Sequence, residues 1–376
     1  VVDLVIRNGK VIDPAQGRNE KADLHADNGK IIDAAGAGEE FRHSVDATGC
    51  LVVPGLIDYH LHLAPLAEIG VGGELACFPS GVTTAVDCGS AGAGTWEGHR
   101  PAMLSSRLDV RSFLHVCSAG LATGQYHENP DPSLWDRKKI RRLFRDYPAE
   151  LIGLKVRAGA EIVGSLGLSP LEEAVKFGDE LGVPVMVHCS NPPSRMADLL
   201  ALLRRGDTIT HAFQDKGDSI LDGQGKIGEA AHAARERGVI FDVANANIHF
   251  SFAVARQALA EQFYPDTIST DLTTRSLYRR PAVFNLAFVL SKYLSMGMPL
   301  EKVIACCSSV PAGILGLAGK KGTLKAGADA DIAVFRLVER ETEFGDRSGT
   351  IMKGRLLLKP MMTVKGGEIV YRDLEF

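Results

Sequence analysis

The feature that most constrains this chain is a rhythm. From Leu51 onward, short and mostly apolar runs with strand character alternate with helix-like segments. The strand-like runs are LVVPGLIDY from Leu51, TTAVDCG from Thr83, RSFLHVC from Arg111, LIGLKVR from Leu151, VPVMVHC from Val183, DTITHAF from Asp207, VIFDVAN from Val239 and DTISTD from Asp266. A strand of a parallel sheet is covered on both faces, so it reads as a near-continuous apolar run. The clearest helix opens at Ser169, where S-P-L-E offers an N-cap, a proline at the first helical position and Glu172 to complete a capping box; Gly182 ends it. Eight strand–helix units over about 270 residues match the size of an α/β fold of the (β/α)8 TIM-barrel type. An open doubly wound sheet is the alternative, weakened because no Gly-rich phosphate fingerprint follows the first strand.

The two ends of the chain read differently. DLVIRNGKVID alternates around Asn8-Gly9, and KADLHADNGKIIDAA repeats the pattern around Asn28-Gly29. A related pattern returns in ADIAVFRLV and MMTVKGGEIVYRD. Neither end can bury a core alone, so the two are expected to pair into one small, discontinuous β-sandwich domain. Residues 1–50 plus 320–376 would form it, leaving 51–319 for the barrel.

Charge and cysteine usage narrow the partners. Lys+Arg 42 against Asp+Glu 46 gives a net charge of −4, which argues against a nucleic-acid binder held by a broad basic surface. Seven scattered cysteines with no C-x-x-C pair read as reduced thiols of a cytoplasmic protein. No charged n-region with an apolar h-region opens the chain, and no 18-residue apolar run occurs, so neither secretion nor a membrane partner is expected. A small molecule is the expected partner, and a homo-oligomer is left open.

The polar residues that end the strand-like runs carry the chemistry, because a barrel places its active site at the C-terminal ends of its strands. The first run closes with Asp58-Tyr59-His60-Leu61-His62, and the two-residue period puts both histidines on one face, able to chelate one cation. The fourth ends Lys155-Val156-Arg157, again two functional groups on one face. The fifth and sixth end at His188 and His211, and the eighth at Ser269-Thr270-Asp271. Each has an ordinary reading: a satisfied core histidine, an ion-paired lysine, an aspartate capping a helix. Six such residues on five strands of one barrel are hard to assign to chance.

These runs resemble those of the amidohydrolase superfamily, and the resemblance covers nearly the whole chain. PGLIDYHLHL is similar to its H-x-H strand, GLKVR to its carbamylated-lysine strand, and VMVHC, TITHAF and STDLT to its His, His and Asp strands. GTLKAGADADIAVF resembles the segment leading back into the family's β-sandwich. By that resemblance His60, His62 and Asp271 would hold one divalent metal and His188 and His211 a second. Lys155, as its carbamate, would bridge them. Imidazole and carboxylate ligands suit Zn²⁺, while Mn²⁺, Co²⁺ or Fe²⁺ fit the same donors. The implied reaction is hydrolysis of an amide or ester by a metal-bridging hydroxide, with Asp271 as general base and then acid.

Substrate choice is legible only in outline. Arg157 shares a face with Lys155 and is expected to bind a carboxylate or a developing oxyanion; the competing reading is a structural ion pair. Dihydroorotases typically carry Arg two residues after their H-x-H, whereas this chain has Ala64 there. Dihydroorotase activity is therefore disfavoured, while hydantoinase-type cyclic amide hydrolysis stays open. GVTTAVDCGSAG resembles the region where D-aminoacylases carry a metal-binding cysteine, which places Cys88 near the metals, although a buried apolar thiol is favoured. The leading reading is a deacetylase-like enzyme acting on an N-acetyl amino acid or O-acetyl α-hydroxy acid. In the loops, Tyr126 and His127 after the third run, and Asn245, Asn247 and His249 after the seventh, are within reach of a substrate or else anchor loops. His115 is expected in the core, and His25, His43, His99 and His232 as surface or packing residues. The competing class is a barrel scaffold that has lost its metals, which the complete ligand set opposes.

Overall fold

The computed structural model describes residues 1–34, 39–64, 67–121 and 128–376. The chain ends and the middle build two sheets. Strands β1 (Val2–Asp13), β2 (Arg18–Asp27), β3 (Lys30–Ile32), β4 (Phe41–Asp46) and β5 (Leu51–Pro54) belong to the first. The middle supplies β6 (Leu56–Leu61), β7 (Val82–Gly92), β8 (Asp109–His115), β9 (Leu151–Arg157), β10 (Val185–His188), β11 (Thr208–Thr210) and β12 (Ile240–Asp242). The tail returns β13 (Ile332–Gly345), β14 (Ile351–Lys365) and β15 (Glu368–Arg372) to the first sheet.

That first sheet is mixed and eight-stranded, in the order β15-β14-β13-β5-β1-β2-β3 with β4 beside β1. As expected, the two ends cannot be separated: β5 pairs parallel with β1 and antiparallel with β13. Its inward side chains, Leu4, Val11, Val45, Val52, Val334 and Met361 among them, share one apolar cluster distinct from the barrel core. The run that starts at Leu51 divides at Gly55. Leu51–Pro54 stays with the end sheet and Leu56–Leu61 enters the barrel. A Cβ at Gly55 would meet Thr83 and Asp331, so the chain crosses between the sheets where only glycine fits.

The second sheet runs in sequence order from β6 to β12, every neighbouring pair parallel. Helices Trp96–Leu104, Arg137–Asp146, Ser169–Leu181, Met196–Leu202 and Glu229–Glu236 lie between successive strands. Ser169 is already the first residue of its helix, and the cap position falls on Leu168 without a side-chain hydrogen bond. Gly182 ends that helix with a left-handed φ of 68°, as its position predicts.

The eighth position holds an extended segment rather than a regular strand. It bridges β12 through Asp242 and Thr267 and β6 through Leu61 and Leu272, which closes the barrel. The ladder is irregular for a local reason. Asp58 accepts from the Thr270 N–H at 3.1 Å and from its hydroxyl at 2.6 Å, and Asp271 turns out of the extended region with φ 53°.

One buried cation fastens this end of the barrel. Lys292, on helix Leu286–Ser295, donates to Ala282 O at 2.7 Å, Gly345 O at 3.1 Å and Asn245 Oδ1 at 3.3 Å, and lies 4.5 Å from the centre of the Phe250 ring. It thereby ties the loop after β12 to the end of β13. Burial pulls its ammonium down to about 7 from the ordinary 10.5. Between those values the unfolded chain holds more protons than the folded one, so this group's contribution to stability rises with pH across that window. Lys292→Met should destabilise the fold by about 2–4 kcal/mol, because three buried acceptors lose their donor. It should also flatten the pH dependence of denaturant stability above neutrality. Unchanged stability and slope would remove Lys292 from this role.

Candidate functional site

The C-terminal ends of the barrel strands bring the sequence-selected residues together. His60, His62, Lys155, Arg157, His188 and Asp271 line one cavity of about 450 Å³, with His249, Asn247, Arg275, Ile69 and Leu121 on its walls and rim. His211 lies just behind that wall, its Nε2 2.8 Å from His188 Nδ1. Asp271 Oδ1 is 3.0 Å from His62 Nε2 and 3.5 Å from His60 Nε2, and its Oδ2 is 4.0 Å from His211 Nε2. All six ligand candidates therefore converge.

Hydrogen bonds behind the rings set which nitrogen faces inward. Thr210 spends its hydroxyl proton on Asp242 Oδ2 at 2.7 Å, so His60 Nδ1, 2.8 Å from the Thr210 oxygen, must be the donor there. His211 Nδ1 donates to Ala244 O at 2.8 Å. Both rings consequently turn an unprotonated Nε2 into the cluster, as a metal ligand requires. Burial pushes the pKa of His60, His188 and His211 down, which keeps them neutral and available as donors of electron pairs. Asp242 also accepts from Thr267 and Ser269 at 2.7 and 2.6 Å, so one buried carboxylate organises three segments. Asp87 accepts from the N–H groups of Leu63 and Ser90 at 2.8 and 3.0 Å and fixes the turn after His62.

Lys155 is the anomaly that tests the donor set. It is 1% exposed, yet among the described residues its only hydrogen-bond contact is His60 Nε2 at 3.4 Å. Burial lowers its pKa. Room for its stem is made by Gly89, with φ 85°, where a Cβ would come within 2.7 Å of Lys155 Cγ. A buried ammonium with no carboxylate paired to it among the described residues is unfavourable as it stands. Four histidines, an aspartate and a lysine able to become an anionic carbamate are donors that a pair of divalent ions would satisfy. The residues fit the group.

Asp271 completes the cluster. Burial works against its charge, while the hydrogen-bond contact with His62 Nε2 favours the ionised form, and the carboxyl is held well below the usual carboxylate range. Both Asp271 and His211 sit at positive φ, 53° and 64°. A non-glycine residue held there costs on the order of 1–3 kcal/mol, a strain typical of functional positions.

Arg157 meets both of its readings at once. Nη1 donates to Glu128 Oε2 at 2.9 Å, and the side chain, 28% exposed, also lines the cavity. Glu128 is 8% exposed, and its Oε1 lies 2.9 Å from His115 Nε2. His115 is buried as expected, and its Nδ1 accepts from the Cys117 N–H, so Nε2 carries the proton. Burial raises the Cys88 thiol, which donates to Tyr59 O at 3.4 Å, and the cysteine packs with Tyr59, Val86, Phe113 and Met186. It is a core residue rather than a ligand. Asn245 anchors its loop, Asn247 and His249 reach the cavity, and Tyr126 and His127 lie outside the described residues. Glu128, Asp242 and Ser190 escaped the sequence reading; Asp242 ends the VIFD run, which was its one available signal.

If Asp242 sets the His60 ring, Asp242→Asn should weaken divalent-cation affinity by about 10- to 100-fold, read by competition with a chromophoric chelator. Unchanged affinity would leave it a purely architectural residue.

Comparison with known proteins places this geometry among relatives. The amidohydrolase family model matches residues 51–370. A deacetylase of Agrobacterium fabrum is 34% identical over 330 residues, covering 87% of this chain and 80% of the relative. A solved structure described as an adenine deaminase superposes with a TM-score of 0.90 at 28% identity, covering 99% of this chain and 100% of that one. Another, described as a dihydroorotase, superposes with a TM-score of 0.87 at 31% identity over 98% of each.

Proposed function

Because this chain belongs to the amidohydrolase family, we propose that it is a metal-dependent hydrolase that removes an acyl group, acetyl by preference, from a small carboxylate-bearing amide or ester. N-acetyl amino acids and O-acetyl α-hydroxy acids are the substrates in view. One observation carries the reading: a guanidinium, Arg157, opens onto the same cavity as the converged donors. The likeness to a deacetylase supports the acetyl preference.

Two divalent ions, zinc by preference, would be held by His60, His62 and Asp271 on one side and His188 and His211 on the other, with carbamylated Lys155 between; they supply a Lewis acid for the carbonyl and a water of lowered pKa. The remaining work falls to the chain. Asp271, ionised and facing the cavity, takes the proton of the attacking water and returns it to the departing nitrogen or oxygen. Arg157 binds the carboxylate, and the Glu128 contact keeps its guanidinium from swinging into solvent. Addition of carbon dioxide to the neutral Lys155 amine, with loss of one proton, would give a carbamate anion in place of a buried cation and remove the cost of the lone ammonium.

The likeness to a dihydroorotase invites a second reading, hydrolysis of a cyclic amide. Ala64, two residues after His62, is fully buried among apolar neighbours, so no cation stands there to take an orotate-type carboxylate.

Elemental analysis of the purified protein should return close to two divalent ions per chain, and none would overturn the proposal. Lys155→Ala should lose tight binding of the pair, with partial recovery in short-chain carboxylates. Arg157→Met should slow hydrolysis of acetylated acids by at least about tenfold, the order expected for losing a charged donor. An unchanged rate would reduce Arg157 to its ion pair.

A further inference from the structure

His249 follows β12 and reaches the cavity from outside the ligand set. Its ring packs against His211 with centroids 4.1 Å apart and against His188 at 4.8 Å. Nδ1 lies 2.7 Å from Ser190 Oγ. Ser190 is 1% exposed and, among the described residues, its hydroxyl has no other hydrogen-bond partner. A buried hydroxyl left without an acceptor is costly, so the serine donates to Nδ1. That choice fixes the tautomer: Nε2 carries the hydrogen and is a donor.

The donor has no described acceptor within the protein. The other polar groups around the mouth each have at least one partner. Arg275 pairs with Glu68 at 2.9 Å, Asn247 Nδ2 reaches Arg275 O at 3.5 Å, and Arg157 gives Nη1 to Glu128. Arg157 is the register partner of His188 on the neighbouring strand, and His188 touches the His249 ring. Arg157 and His249 therefore flank His188. A carboxylate offers about four acceptor sites, more than one partly engaged guanidinium fills.

We propose that His249, oriented by Ser190, is a substrate-binding residue that donates a hydrogen bond to the acid group of the substrate and so selects carboxylate-bearing acyl compounds. This rests on the acyl-acid hydrolase reading of the same site. Ser190 is a positioning residue and acts only through the ring.

His249→Phe keeps the ring packing and removes the donor, whereas His249→Gln restores an N–H near the Nε2 position. For an N-acetyl or O-acetyl acid, H249F should raise KM by about tenfold or more, as for a lost hydrogen bond to a charged group. Its kcat should change far less. H249Q should recover most of the loss, and Ser190→Ala should show a smaller rise in KM. The ethyl ester of the same acid, which lacks the charge, should be hydrolysed alike by wild type and H249F. Metal content of H249F should match wild type. A lost metal ion, an equal loss on acid and ester, or no loss on either would overturn the proposal. Should wild type hydrolyse no acetylated acid, the proposed function falls, and calorimetric titration with succinate then decides His249 separately. A weaker Kd in H249F, again by about tenfold, supports the donor, and equal Kd values overturn it.

Discussion

The cost of burying ionisable groups governs this structure more than any other term. Lys155, His60, His188, His211 and Asp271 are gathered at a barrel mouth, each at most 9% exposed. Each unpaired charge or lone pair there is worth several kcal/mol unless it finds a partner. The protein answers from behind. Asp242, Thr210, Ser90 and the Ala244 carbonyl hold the outer edges of the rings, which leaves the inner edges converged on one another. Lys155 is given room by Gly89 and no carboxylate partner among the described residues. An arrangement so poorly satisfied by its own hydrogen bonds is one that the proposed cations, with the proposed change in the charge of the lysine, would complete.

The same demand shapes the barrel. A regular eighth strand would point Asp271 along the alternating pattern of a flat ladder. Instead the segment from Thr267 to Leu272 takes its hydrogen bonds partly from side chains, above all Asp58, and turns at Asp271 into positive φ. His211 does likewise just beyond β11. Regularity, which would stabilise the sheet, is given up where two side chains must turn inward. Lys292 offsets some of this by tying the loop after β12 to both the 282 region and the end sheet.

The residues that sequence made legible and those it hid differ in kind. His60 and His62 share a face because a strand has a two-residue period, and that period needs no tertiary information. His188, His211 and Asp271 were legible as polar ends of apolar runs. Glu128 was not, because it lies in a loop after β8, and nothing in QYHENP marks it as the carboxylate that meets Arg157. His249 was legible only as a loop residue within reach of a substrate, and Ser190 was hidden, since the two sit 59 positions apart in the sequence and meet only across the barrel mouth. The strand reading of DTISTD erred because propensity cannot register that Asp58 takes the Thr270 N–H away from a ladder.

By itself the sequence determined the parallel barrel, the pairing of the two chain ends and the polar residues that end the apolar runs, because apolar run length and the strand period act locally and repeat. Only the tertiary structure decided where the first run splits at Gly55, which ring nitrogens face the cavity, and what holds Arg157 and His249. Those outcomes depend on hydrogen bonds between residues far apart in the chain, such as Asp58 with Thr270 and His60 with Thr210, and no local pattern encodes a partner that arrives from another strand.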